Sequence, residues 1–304
     1  MEIVLQTNWS WIIAVYLFLG GLAAGTLFTV SILNLMTRDR FKNTICFGAW
    51  AGVIALVVGV VALLLEVGVP FRAIVLFKSF VNLNSWMTIG AWLLIVGILS
   101  SGLYALSYTD WVTTRFKFLL KWRTILAAIL IPISLGIALY TGVLLSVLWA
   151  RPIWNTWFLP TLFTLSAIDT GVALVTAYII LREPKTKEGI TRIKKALEIA
   201  TAILVILEGT ILGSYLGTML ASGSEVASTS AQVLTSGSLS LPFWIIIVGL
   251  GLAVPFLVSL VSIIRSGLAQ KTWGILPLVG ILSCIAGGFT LRMLILLVGL
   301  PIYT

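Results

Sequence analysis

Apolar residues fall along this chain in long unbroken blocks, with neither the alternation of a strand nor the single stripe of a surface helix. The blocks run 11–36, 44–66, 85–108, 122–148, 159–181, 196–220, 242–264 and 273–300, each bounded by charged or turn-forming residues. A helix rises 1.5 Å per residue, so about 20 residues cross a hydrocarbon core roughly 30 Å thick. Backbone polar groups in lipid must be satisfied within the segment, so each block predicts a spanning α-helix. The pattern therefore predicts an all-α fold: a polytopic bundle of about eight spans, forming a single integral membrane domain over residues 1–304.

Composition sharpens the picture. Hydrophobic residues make up 60% of the 304 and charged residues only 10%, and the mean hydropathy is strongly positive; a soluble fold has no room to bury that much apolar surface. The net charge of +9 would suggest nucleic acid if it formed one basic face. Here the charges lie between apolar blocks, so lipid is the expected partner and nucleic acid is not. Glu2 and the lack of a basic segment before the first block argue for a retained helix rather than a secretory signal.

The basic residues also give direction, because cytoplasmic loops retain lysine and arginine. Arg38, Arg40 and Lys42 fall in the first loop, Arg115, Lys117, Lys121 and Arg123 around the third, Arg182, Lys185, Lys187, Arg192, Lys194 and Lys195 around the fifth, and Arg265 and Lys271 in the seventh. The opposite side has only Arg72, Lys78 and Arg151. Both termini are expected outside, in a multi-pass protein of the cell membrane. The Ser- and Gly-rich stretch 221–241 then lies on the outer side, reading as a flexible connector or a cover for a partner surface.

Candidate chemistry is sparse. The chain has no histidine, which argues against paired-histidine haem, a histidine-bound metal and any Ser–His or Cys–His nucleophile. Cys46 and Cys284 show no paired spacing and read as packing residues, so no metal site is expected. Ionisable residues inside a span are functional candidates by default. Asp169 and Glu208 fall near the middle of the fifth and sixth blocks, Glu66 ends the second, and Arg292 lies within the last. Pairing of Arg292 with one of these acids is one reading; carboxylates that take up and release protons are the other. Gly21 and Gly25 carry the small-xxx-small spacing that brings helices close. Tyr140, inside the fourth block, needs a partner for its hydroxyl and has the chemistry to bond a quinone carbonyl. Trp149, Trp154 and Trp157, just beyond it, read as an interfacial belt.

Several stretches resemble the NrfD/PsrC family: YLFLGGLAAG at 16–25, LEVGVPFRAIVLF at 65–77, NLNSWMTIGAW at 82–92, YTGVLLSVLWARPIWNTWFLPTLFTLSAIDTG at 140–171 and GGFTLRMLILLVGLP at 287–301. The family comprises haem-free membrane subunits of molybdopterin oxidoreductases such as polysulfide reductase. The resemblance implies electron exchange between menaquinone or a related quinone and an iron–sulfur subunit on the outer face, which serves a molybdopterin catalytic subunit. It makes the chain a quinone-reactive anchor rather than the bearer of the catalytic centre. It places the quinone near the outer ends of the first four helices, at Tyr16, Glu66, Arg72 and Tyr140; on the reading of the ionisable residues themselves, Glu66, Asp169 and Glu208 are the expected proton-transfer groups and Arg292 the charge-pairing one. Two departures stand out: Tyr16 occupies a position where some members have histidine, and the usual Asp-Leu-Gly-basic-Pro pattern reads Glu66-Val67-Gly68-Val69-Pro70. The terminal acceptor, the direction of electron flow, proton pumping and the oligomeric state stay open. A transporter or channel using Asp169, Glu208 and Arg292 is the competing class, and a purely structural anchor is a third; inverted repeats would favour the transporter, and the sequence shows no internal repeat. Broken helices would favour the transporter too, and none is evident, although Pro132 and Pro255 are able to kink their spans.

Overall fold

The computed structural model describes residues 9–66, 85–184, 189–265 and 276–300. The regular structure among those residues is all helical, without a strand, and eight of the helices are long and apolar enough to cross a membrane. In order the spans are Trp11–Thr37, Lys42–Glu66, Trp86–Tyr108, Phe118–Ser146, Phe158–Arg182, Ile190–Leu220, Ser240–Ile264 and Leu276–Leu297. The sixth starts before the expected residue 196 because Arg192, Lys194 and Lys195 wind into its first turns. Charged side chains at the interface do not interrupt a helix; they extend out of the lipid along its flank.

The spans form two four-membered rings. In the first unit, span 1 packs on spans 2 and 4, and span 3 closes the ring by packing on both. The second unit repeats this arrangement with spans 5 to 8: the fifth packs on the sixth and eighth, and the seventh on the sixth and eighth. Span 1 then joins the units by packing against spans 5 and 8, with span 4 also against span 5. Helix association in lipid depends on close fit rather than water exclusion, and glycine supplies that fit where the units meet. A Cβ on Gly25 would run into the Ala167 carbonyl, and one on Gly171 into the backbone of Gly25. The outer flanks carry exposed apolar side chains, such as Ile54, Val57 and Val61 on span 2 and Ile203, Ile206 and Leu207 on span 6.

Polar contacts tie the loops at the basic end. Asp39, in the left-handed region at φ 64°, accepts from the Tyr108 hydroxyl and from Arg123 Nη1 at 3.1 Å. Arg123 also donates to the Ser107 carbonyl at 2.8 and 2.6 Å and stacks over the Tyr108 ring. Lys42 pairs with Asp110 of the short helix Asp110–Arg115, and that partner holds the Asp110 carboxyl below the usual carboxylate range. Thr44 donates to Glu183 at 2.7 Å, linking the second and fifth spans.

Three features at the other end and in the second unit differ from the sequence expectation. Stretch 221–241 contains an ordered helix, Glu225–Thr235, capped by Ser224, with Ala227, Ala231 and Leu234 buried. Trp154 is buried rather than interfacial: its Nε1 donates to the Ile295 carbonyl at 2.7 Å, Arg151 stacks on it, and Trp9 packs at 5.3 Å. Trp149 and Trp157 are exposed, as a belt requires. Residues Phe243–Ala253 of span 7 are wound as a π-helix. Pro255 follows directly; it has no N–H to offer the Gly251 carbonyl, and its ring crowds that carbonyl, so a wider turn relieves the position.

Candidate functional site

Two polar constellations lie inside the bundle. The first belongs to unit one. Tyr16 sits on the buried face of span 1, only 1% exposed, with its ring against Gly59 of span 2. Its hydroxyl has no hydrogen-bond partner among the described residues. Tyr140 of span 4 is close by, and its ring occupies the space that a side chain on Gly90 of span 3 would fill. All four helices of the unit therefore converge on this pair of phenols. Glu66 stands farther along span 2, about 10 Å beyond Gly59 at helical rise. Its carboxylate accepts from the Ser10 backbone N–H at 3.2 Å and from the Ser10 hydroxyl at 2.5 Å. Ser10 in turn accepts from the Ile12 N–H at 3.1 Å and so caps span 1. Glu66 is thus fixed to the start of the helix that carries Tyr16. Arg72 lies outside the described residues.

The second constellation lies in unit two. Arg292 is fully buried on span 8 and reaches toward span 1, where Gly21 has no Cβ to obstruct its guanidinium. The small-xxx-small pair of span 1 thus has divided duties: Gly25 admits the backbone of span 5, and Gly21 admits a cation. Arg292 Nη1 donates to the Gly288 carbonyl at 2.8 Å and to Ser166 Oγ at 3.3 Å, and Nη2 to the Phe163 carbonyl at 3.3 Å. Phe18 and Phe163 flank the cation. Among the described residues no direct ion pair joins Arg292 to an acid. Glu208 and Ser166 line the same small cavity. Asp169 accepts from the Cys284 thiol at 3.0 Å and leaves Oδ1 unpartnered, as Arg292 leaves Nε. Ser166, Asp169, Glu208, Cys284 and the π-wound turn at Gly251 enclose a small cavity with room for about one water. The unpartnered Asp169 Oδ1 thus belongs to a residue that lines this cavity.

Sequence comparison places these constellations in a known family. The family model described as "Polysulphide reductase, NrfD" matches residues 4–303. The chain belongs to the NrfD polysulphide reductase family. The C subunit of polysulfide reductase from Wolinella succinogenes is similar at 27% identity, covering 96% of this chain and 94% of the relative. Protein NrfD of Escherichia coli is similar at 25% identity, covering 83% and 84%.

With eight long apolar helices among the described residues and NrfD membership, the chain is a multi-pass membrane protein. The NrfD match takes in every stretch that carried the resemblance. Of the residues singled out from sequence, Tyr16 and Tyr140 come together, as do Asp169, Glu208 and Arg292, while Glu66 stands apart on the Ser10 cap. Sequence reasoning missed Cys284 and Ser166. The only signal for either is the spacing that puts Ser166 one helical turn before Asp169; nothing in sequence points Cys284 at a carboxylate.

Proposed function

We propose that this chain is the membrane anchor and quinone-reactive subunit of a respiratory molybdopterin oxidoreductase of the sulfur- or polysulfide-reducing type. It exchanges electrons between menaquinone or a related quinone and an iron–sulfur subunit docked on the outer face, where both termini lie, and that subunit serves a molybdopterin catalytic subunit. The observation that carries the reading is the Tyr16–Tyr140 pair: a buried phenol with an unused hydroxyl beside a second phenol, where all four helices of unit one meet. Leaving such a hydroxyl unpaired is unfavourable by about 1–3 kcal/mol, and a quinone carbonyl supplies the acceptor it lacks.

A quinol bound there supplies two electrons and two protons. Tyr16 and Tyr140 hold and orient the head group by donating to its oxygens. Glu66, anchored through Ser10, takes the two departing protons in turn and passes each to water at the outer end, and Arg72 steadies developing negative charge. Asp169 and Glu208, with Arg292 balancing their charge, form the proton-exchanging group of unit two and allow coupling to the membrane potential. The test is quinol-dependent turnover of the assembled complex. Tyr140→Phe and Glu66→Gln are each expected to lower it by about two orders of magnitude while the complex stays intact by size-exclusion chromatography. Wild-type turnover in both variants would remove the site.

A further inference from the structure

Cys284 borders two cavities. One is the Asp169–Glu208 cavity described above. The other lies toward the basic end and is lined by Thr176, Glu198, Thr201, Pro255 and Ser259, with Cys284 as its innermost polar group. Its walls are oxygen-rich for a membrane interior. Glu198 and Ser259 line it side by side, and Thr176, only 6% exposed, leaves its hydroxyl without a partner. Glu198 and Glu208 share span 6, and helical rise sets Glu198 about 15 Å nearer the basic end. The cavity has room for about one water. An ionisable side chain inside a membrane bundle faces a polar path or a partner, and here Glu198 faces the cavity.

From this geometry we infer that Glu198 loads protons from the basic side and passes them through Cys284 to Asp169. The inference rests on the reading of Asp169 and Glu208 as proton-transfer groups and extends it to the aqueous end. In one cycle the Glu198 carboxylate takes a proton from water and releases it into the cavity. The Cys284 sulfur receives that proton as its own S–H proton moves to Asp169 Oδ2 along the existing 3.0 Å hydrogen bond. The thiol ends unchanged, Glu198 returns to carboxylate, one proton has moved inward and no electron has. Cys284 is the narrow point, because it alone among these groups lines both cavities.

Cys284 also provides the probe. The chain has two cysteines, so Cys46→Ser leaves a single S–H stretching band in the infrared. After transfer of the purified full-length chain into D2O, decay of that band measures how fast protons reach Cys284. Glu198→Gln is expected to slow the decay by at least about tenfold, with Glu198→Asp staying near the parent rate; Asp169→Asn is expected to shift the band, because its hydrogen-bond acceptor changes. Ser259→Val, which removes a polar group from the cavity wall beside Glu198 and narrows the cavity, should also slow exchange and serves if Glu198→Gln does not accumulate. Parent-rate exchange in both Glu198→Gln and Ser259→Val overturns the route. The measurement uses neither quinone nor partner subunits. Slowed exchange in a complex whose Tyr140→Phe variant keeps full quinol turnover would therefore keep the route and remove the quinone reading; unchanged exchange with lost turnover would do the reverse.

Discussion

A buried hydroxyl without a partner separates folding from function at Tyr16. It contributes no hydrogen bond to the fold, so Tyr16→Phe leaves every described contact in place and relieves a desolvation penalty of about 1–3 kcal/mol. The variant is therefore expected to melt no lower than the parent in detergent and yet to lose quinol-dependent turnover by roughly tenfold or more. A lowered melting temperature would mean that the hydroxyl is structural and would weaken the quinone assignment. Glu66 is the opposite case, since its carboxylate both caps span 1 through Ser10 and stands as the proposed proton acceptor. Legibility follows charge at this scale. Asp169, Glu208 and Arg292 could be found in sequence because each interrupts an apolar block. Cys284 and Ser166 could not, because a thiol and a hydroxyl are unremarkable in a span until a carboxylate or guanidinium is seen to face them. Glu198 escaped notice because it follows Lys194 and Lys195, where acids are ordinary interfacial residues.

Between elements, the position of glycine sets what the bundle tolerates. Gly171 and Gly25 meet backbone to backbone where span 5 crosses span 1, and a Cβ there strikes peptide atoms that cannot rotate away. Gly102 of span 3 has nothing within 4 Å of its Cβ direction. Gly171→Ala is thus expected to destabilise the protein by about 1–3 kcal/mol, read as a lower melting temperature and poorer recovery of monodisperse protein, whereas Gly102→Ala leaves both unchanged or slightly improved. Equal behaviour of the two variants would contradict the crossing. The blocks predicted all eight spans, since hydropathy reports directly on the solvent that each helix faces. They did not predict the π-wound turns before Pro255, because Pro132 lies in a helix that stays α throughout. Whether a proline widens, bends or is absorbed by its helix depends on its neighbours. At Pro255 the Gly251–Gly287 contact holds span 7 against span 8, so the strain is taken up along span 7.

At the scale of the whole molecule, the two four-helix units share one charged side chain at their seam. Arg292 is rooted in unit two through Gly288, Ser166 and Phe163, yet its guanidinium fills the notch left by Gly21 in unit one. Ser166, which accepts from Arg292, lines one cavity together with Glu208 and Asp169. Span 1 also carries Tyr16, so events at the phenol pair and at the carboxylates act on opposite ends of one contact. If unit one handles the quinone and unit two the proton, removing the cation should separate the two activities. Arg292→Gln keeps a donor to the neighbouring carbonyls and loses the charge that balances Glu208. In proteoliposomes the reconstituted complex with this change is expected to keep a substantial part of its quinol turnover while proton uptake per electron falls toward zero. A parallel fall in both would make Arg292 part of the quinone site itself, and no change in either would leave it a packing residue. The intermediate result, electrons moving without protons, is what a cation placed between two separately built units should produce.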